Sequence, residues 1–578
     1  MHDLLTKRFS SFTYLNITQF LGALNDNIFK LLTVYFLITL WGIENSHFIL
    51  STTGATFVIP FLLFSSTSGM LADRFSKRNI IVFAKILELL VMVCGVLSFA
   101  YASTFGTYLT LFLLAAHSAL FAPSKYGIVP ELVSNDKISK ANGMMTSFTF
   151  LAIILGTFLA SFITEVTGRN FILASLLCTV ISLAGVMTSF GIEYTPPSGS
   201  QKKLNVHFIK EIIGTLRMAR QFPSLLQCMV GSAFFLFIGA FMQLNIIPFA
   251  VESLHLSDVQ GGYLFLLTAL GIGTGSLIAG KISGKTVELG MVPIGILGIT
   301  CGLFLLDFFS SHILAVIPLV LILGMFGGIY EIPLDSYVQA TSPSQFRGQF
   351  VAATNFMSFV GVLFASLFVY FLNAIFSLRA DQAFTVMGFF TAILTTAFGF
   401  QFFDYLTRFI GTIICRIRFQ ASFPKKEEIP EKAVIYVCKH TAWNDTLLIL
   451  GSQRRRIRFF IEHEQNHSKW LKKCYRLLKV VLVPSIEPLE KNNACIEQIK
   501  SSLAKGISVC IFADDDDLEK KIHKLMHSYS FKEILSQQEC QIVQVTIQKA
   551  ENQGYFDWLK WKKFRAPASV AFNSPETA

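Results

Sequence analysis

Apolar residues gather in twelve long stretches over the first 412 positions, centred near residues 25, 58, 90, 114, 153, 181, 236, 270, 299, 322, 362 and 395. A helix rises about 1.5 Å per residue, so about 20 mostly apolar residues cross the hydrocarbon of a bilayer. Each stretch is long enough to do so, and the pattern predicts an all-α membrane bundle. The first follows Met1-His2-Asp3-Leu4-Leu5-Thr6-Lys7-Arg8 with no small-residue cleavage site, which predicts an anchored helix and not a cleaved leader. After Phe423-Pro424-Lys425-Lys426 the pattern changes. Ala433 to Cys438 reads as a strand, Thr446-Leu447-Leu448-Ile449-Leu450 as the start of an apolar helix, and Phe459-Phe460-Ile461 as a second strand. These alternating signals predict a C-terminal α/β domain.

Composition sharpens the division. The 578 residues are 53% hydrophobic and 15% charged, with 58 phenylalanines and a mean hydropathy of +0.55. Residues 1–412 hold 21 Lys+Arg against 18 Asp+Glu, whereas residues 413–578 hold 27 against 19, nets of +3 and +8. A membrane bundle followed by a basic soluble domain accounts for both halves. Disorder is excluded by the hydrophobicity. The ten cysteines show no C-x-x-C spacing, so neither a zinc module nor a disulfide scaffold is expected, and no metal site is proposed. Because the basic surplus adjoins membrane segments, the phospholipid bilayer is a better partner than nucleic acid.

Basic residues also orient the bundle. The N-terminus and even-numbered loops carry sixteen, among them Lys7, Arg74, Lys77, Lys202, Lys210 and Arg347, while the odd loops carry Arg169 and Arg379. Both termini are therefore expected in the cytoplasm. A weak repeat joins the halves: Ala72 to Lys77 recurs in outline as Ala279 to Lys285, and Pro123-Ser124-Lys125-Tyr126 as Pro333-Leu334-Asp335-Ser336-Tyr337. The polar segment Glu193 to Arg220, with Pro196-Pro197-Ser198-Gly199-Ser200, reads as a flexible linker. Gly275 to Lys281 mimics a phosphate-binding loop, but Ile282 stands where Ser or Thr is needed and the run lies in an apolar helix. Gly271 and Gly275 are read as packing residues, and transport without ATP is expected.

Gly69-Met70-Leu71-Ala72-Asp73-Arg74-Phe75-Ser76-Lys77-Arg78 resembles the helix 2–3 signature of the major facilitator superfamily. Gln19 to Asn27, His117 to Gly127 and Pro333 to Gln339 resemble the bacterial lysophospholipid transporter family. The resemblance spans roughly residues 10–410. It implies a twelve-helix bundle of two six-helix repeats (1–192 and 223–412), a cytoplasmic linker (193–222), and a multi-pass protein of the bacterial inner membrane. An ionisable group in hydrocarbon is costly and needs a reason. Asp26 and Lys30 share a face of helix 1, Lys85 and Glu88 are one turn apart, Lys125 and Glu131 lie near one end of helix 4, and Glu331 and Asp335 share a face of helix 10. Family likeness makes Asp26, Asn27, Lys30, Lys125, Tyr126, Glu331, Asp335 and Gln339 the substrate-transport set, with lysophospholipid as cargo. Lys85 and Glu88 fit a structural ion pair better. Gly69, Asp73, Arg74 and Arg78 are the gating set, a charged cluster able to bridge helix ends.

The domain at 413–578 carries Lys439-His440-Thr441-Ala442-Trp443-Asn444-Asp445 directly after its first strand. On a continuous helix, five residues would set His440 and Asp445 about 140° apart; a strand–turn–helix lets them meet. Asp445 could then hold one imidazole nitrogen while the other deprotonates an alcohol for attack on a thioester. The segment resembles the first motif of glycerolipid acyltransferases, which implies reacylation of the lysolipid. No cofactor is expected to be bound; an acyl thioester on acyl carrier protein or CoA would be the co-substrate, made by a separate acyl-activating enzyme. Two departures stand against catalysis: Gly506 to Phe512 runs into Ala513-Asp514-Asp515-Asp516-Asp517 where the family has Phe-Pro-Glu-Gly, and Val481-Leu482-Val483-Pro484-Ser485 lacks the usual Arg. The rival reading is a non-catalytic lipid-binding or docking module. Arg454, Arg455, Arg456 and Arg458 are candidates for docking an acidic carrier protein or anionic lipid, and Trp558, Lys560, Trp561, Lys562 and Lys563 for an interfacial anchor.

Overall fold

The computed structural model describes residues 2–202, 208–284, 286–422, 433–439, 444–452, 456–462, 480–483, 489, 492–504, 506–513, 518–538, 540–549 and 566–573. Among them, twelve helices are long and apolar enough to cross a membrane: α1 (His2–Trp41), α2 (Ser46–Arg74), α3 (Lys77–Ala100), α4 (Thr104–Gly127), α6 (Ile138–Val166), α7 (Phe171–Phe190), α9 (Leu225–Glu252), α10 (Asp258–Ser283), α11 (Met291–Phe308), α12 (Ile313–Thr341), α13 (Arg347–Tyr370) and α14 (Ala380–Gln401). Every predicted centre falls inside one of them. Two shorter helices intervene, α5 (Val129–Leu132) and α8 (Phe208–Ala219). Starts are capped where the sequence offers hydroxyls: Ser76 accepts the Asn79 N–H, Ser103 that of Gly106, and Ser257 with Gln260 forms a capping box. Prolines 60, 123, 248, 318 and 333 sit inside helices, as spanning helices tolerate when neighbours satisfy the freed groups.

The chain divides into two compact units, Met1–Phe400 and Gln401–Ala578. In the first, one packing scheme occurs twice. α1 lies on α6 as α9 lies on α13; α2 on α4 as α10 on α12; α3 on α4 as α11 on α12. The halves meet along α2–α13 and α6–α10. Gly271 and Gly275 lie so close to the backbone of Leu321 and Met325 in α12 that neither site has room for a Cβ, the close helix approach that small residues permit.

The segment at 193–222, read as a flexible linker, includes a helix among its described residues. This is the amphipathic α8, which buries Ile212, Thr215 and Ala219 and packs against α2 and α13. Around it, Ser198 accepts from Lys77 at 2.6 Å, and Lys202 pairs with Glu211 at 2.6 Å and donates to Gln349 at 2.9 Å. Ser198 lies within the Pro-Pro-Ser-Gly run, but its partner Lys77 stands 121 positions away, so local turn chemistry cannot reveal the contact.

The second unit opens with the helix α15 (Phe403–Arg418), whose first ten residues, Phe403 to Thr412, precede the 413–578 domain read from composition and belong to this unit. A seven-stranded sheet follows, β1 (Phe419–Ser422), β2 (Ile435–Lys439), β3 (Ile457–Glu462), β4 (Val481–Val483), β5 (Ser508–Ala513), β6 (Ile542–Lys549) and β7 (Ala566–Asn573), in the order β1-β7-β6-β2-β5-β3-β4. β6 and β7 are antiparallel and every other neighbouring pair is parallel. Alternate residues feed two cores. Tyr436, Cys438, Cys510 and Phe512 join Cys415 and the apolar side of α16 (Asn444–Ser452). Ile435, Val437, Val509 and Ile511 face α17 (Asn493–Ala504), α18 (Leu518–His527) and α19 (Tyr529–Gln538) through Ile496, Ile499, Leu525 and Ile534. A mostly parallel sheet covered on both faces is an α/β sandwich. Burial pushes the Cys415 thiol up to about 11 and the Cys510 thiol well above the usual range, the latter aided by Cys438 and Asp445.

Candidate functional site

Charge concentrates at the middle of the membrane bundle. Asp26 of α1 is half-buried and its Oδ2 accepts from Ser118 of α4 at 2.8 Å. Lys30, one turn on, lies 5.1 Å over the Phe57 ring of α2, a cation–π contact. Lys125 of α4 lies over the rings of Tyr126 at 4.4 Å and Phe121 at 5.8 Å and feels the charges of both Asp26 and Asp335. In the other half, Asp335 accepts from Ser232 of α9 at 3.0 Å, with Glu331 one turn away on the same face of α12. The structure thus brings together Asp26, Lys30, Lys125, Tyr126, Glu331 and Asp335. Asn27 turns to α6, donating to the Ala23 carbonyl and lying against the position of Gly156.

Beneath this cluster lies a polar knot that is cut off from solvent. Glu88 receives Lys85 at 2.5 Å, Asn25 at 3.0 Å and the His117 Nε2 at 3.2 Å. The His117 Nδ1 lies 2.6 Å from the Leu114 carbonyl, which can only accept, so Nδ1 carries a proton. The knot ties α1, α3 and α4 together. Spacing alone exposed the Lys85–Glu88 pair; Asn25 and His117 lie 63 and 29 positions from Glu88 and gave no local signal.

The end of the bundle that carries Asp73 is where the halves join. The Asp73 carboxylate accepts the backbone N–H groups of Gly348 at 2.6 Å and Gln349 at 3.0 Å, at the start of α13, and the Gln349 side chain at 3.2 Å. A carboxylate at a helix N-terminus is favoured by the orphan donors and the helix dipole. Gly69 lets α2 approach Gly348 and Ala352, with no room for a Cβ. Arg78 donates to the Ile192 and Phe190 carbonyls at the end of α7; Arg74 is exposed, 5.7 Å over Phe75. Asn142 of α6 and Gln339 of α12 exchange two amide hydrogen bonds at 3.0 Å, and Asn142 also donates to Ser336. Gln339, expected in the transport set, therefore lies in the contact between halves. Glu131, read as lying near the end of helix 4, sits just beyond it on α5 and pairs at 2.6 Å with the fully buried Lys77.

In the α/β unit, Asp445 is fully buried in the first turn of α16, immediately after β2. Arg456 stacks 4.9 Å over Tyr405, and Arg458 donates to Ser502 at 3.2 Å. Both line a cleft with Asp404, Thr407, Arg408 and Thr446. His440, Arg454, Arg455, Asp514 to Asp517 and the Trp558 to Lys563 group lie outside the described residues.

Two six-helix halves repeating one packing scheme around buried charge define a multi-pass membrane transporter. A family model described as the Major Facilitator Superfamily matches residues 15–366, and the chain belongs to that superfamily. Among curated relatives it is similar to the lysophospholipid transporter LplT of Enterobacter sp. (strain 638), 28% identical over 325 residues, covering 56% of this chain and 78% of the relative. The LplT of Escherichia fergusonii is 27% identical over 335 residues with the same coverage. The human organic anion transporter MFSD10 has a like fold, with TM-score 0.56 and 16% identity over 68% of this chain and 99% of that one. The transporter FucP in its outward conformation matches with TM-score 0.56 and 13% identity, again over 68% and 99%.

Proposed function

We propose that the membrane unit carries lysophospholipid across the bacterial inner membrane, with both termini cytoplasmic. The observation that carries this reading is the central cluster, with Asp26, Lys30 and Lys125 in one half and Asp335 with Glu331 in the other. A phospholipid headgroup presents phosphate and often an amine, and a site holding both signs of charge away from bulk water can bind both. Similarity to the LplT proteins supports the same cargo, and the excess of basic residues in the N-terminus and even loops supports the orientation. Uptake of labelled lysophosphatidylethanolamine by spheroplasts tests it. Asp26→Asn should reduce uptake to background at unchanged membrane abundance; full uptake by that variant would return Asp26 to a structural role.

For the α/β unit the reading is reacylation of the delivered lysolipid from an acyl thioester, with His440 as general base and Asp445 holding its imidazole. Asp445, buried directly after β2, supports it. His440→Ala should lower acyl transfer by roughly 10²–10⁴-fold while uptake persists. Absence of transfer by the wild-type protein from both carrier-protein and CoA thioesters would leave the docking-module reading in its place.

A further inference from the structure

α15 follows the last spanning helix with only Phe402 between them, so the chain leaves the bilayer and enters α15 at the level of the lipid headgroups. Its 16 residues reach about 24 Å, yet Asp404, Arg408, Arg416 and Arg418 make it too polar to span. One side belongs to the α/β unit: Gly411 lies against Leu450, Cys415 is buried in the core, and Thr412 bonds the Leu450 carbonyl. On the other side Ile410, Ile413, Ile414 and Ile417 form a stripe at helical spacing, with exposures of 42, 40, 44 and 49%. The exposed Arg416 flanks the stripe. Four aligned isoleucines facing water are costly, and among the described residues they stay exposed.

We propose that α15 lies in the plane of the membrane, with the isoleucine stripe sunk into the acyl chains of the leaflet at which α14 ends. Continuity with the last span selects lipid as the occupant, and Arg416 beside the stripe suits the anionic headgroups around it. A helix so placed forms both a lipid-facing surface and one wall of the cleft lined by Asp404, Thr407 and Arg408. The α/β unit would then draw its ligand from the leaflet and not from bulk water. This inference is independent of what the membrane unit transports.

The full chain in proteoliposomes of phosphatidylethanolamine and phosphatidylglycerol provides the test, with a photoreactive p-benzoylphenylalanine placed singly at Ile414, Ile417, Phe389 or Tyr529. Phe389 is a 63% exposed position of α14 and Tyr529 an 85% exposed position of α19. Illumination should yield phospholipid adducts at Ile414 and Ile417 within about twofold of Phe389, and at least about tenfold less at Tyr529. Adducts at Phe389 without adducts at Ile414 or Ile417 overturn the proposal. So does a crosslinked dimer at Ile414, which would make the stripe a contact between two copies, or equal labelling at Tyr529, which would show unspecific capture.

Discussion

The two halves of the membrane unit share one packing scheme and differ in charge. The half from α1 to α7 places Lys30, Lys85, Lys125 and His117 in its middle, and only Glu88 and Asp26 offset them. In the half from α9 to α14 the basic residues within helices are Lys281 and Arg347, both near helix ends, whereas Glu331 and Asp335 occupy the interior. Duplicated architecture therefore does not carry duplicated chemistry: the scaffold is nearly two-fold and the field across it is polar. For the proposed cargo, this polarity would seat phosphate toward Lys30 and Lys125 and a headgroup amine toward Asp335.

Breaking the knot in the cationic half should have the largest effect. Lys85→Met leaves Glu88 buried without its ammonium partner, a change that typically costs about 3–5 kcal/mol, and the melting temperature in detergent should fall sharply. Unchanged melting would mean that His117 and Asn25 suffice to hold Glu88. The acidic half is probed by Asp335→Asn, which should weaken binding of ethanolamine-headed lysolipid by about 2 kcal/mol, or roughly thirtyfold. Glycerol-headed lysolipid should be affected less than about threefold; equal losses for both headgroups would remove the assigned polarity. Where the halves touch, Gln339→Leu removes neutral hydrogen bonds worth about 1 kcal/mol each. Alkylation of a cysteine introduced by Ser336→Cys should then speed up by about tenfold, and an unchanged rate would show that Asp73 alone keeps this end closed. The smallest effect is a control outside the bundle. Because burial raises the Cys510 thiol, it stays protonated at pH 8 and should resist alkylation until the α/β unit unfolds.

Legibility followed the range of the interaction. The spans were readable because hydrocarbon demands about 20 apolar residues in a row, a local property. Lys85 with Glu88 and Glu331 with Asp335 were readable because helical spacing places them on one face. The Asp73 carboxylate could be anticipated at a helix end, but not that its partners would be the Gly348 and Gln349 amides 275 and 276 positions away. Lys77 looked like one more basic loop residue until Glu131 and Ser198 closed around it. α15 went unread for another reason. Ile410, Ile413, Ile414 and Ile417 do carry the helical period, but they follow directly on an apolar span that masks their start.

Where α6 meets α10, glycines bring main chain against main chain. Gly143 lies against the Ser276 carbonyl and Gly280, and Gly280 against the Ser139 carbonyl and Lys140. A seam of this kind stores little in interlocked rotamers, so the halves can part there without any side chain changing its well. The barrier to parting then resides in a few discrete latches, the Asp73 carboxylate and the Asn142–Gln339 amides, and not in the area of the seam. Opening would resemble the release of a clasp more than the peeling of a surface, with a rate that responds steeply to single substitutions at the latches and weakly to changes along the glycines' neighbours.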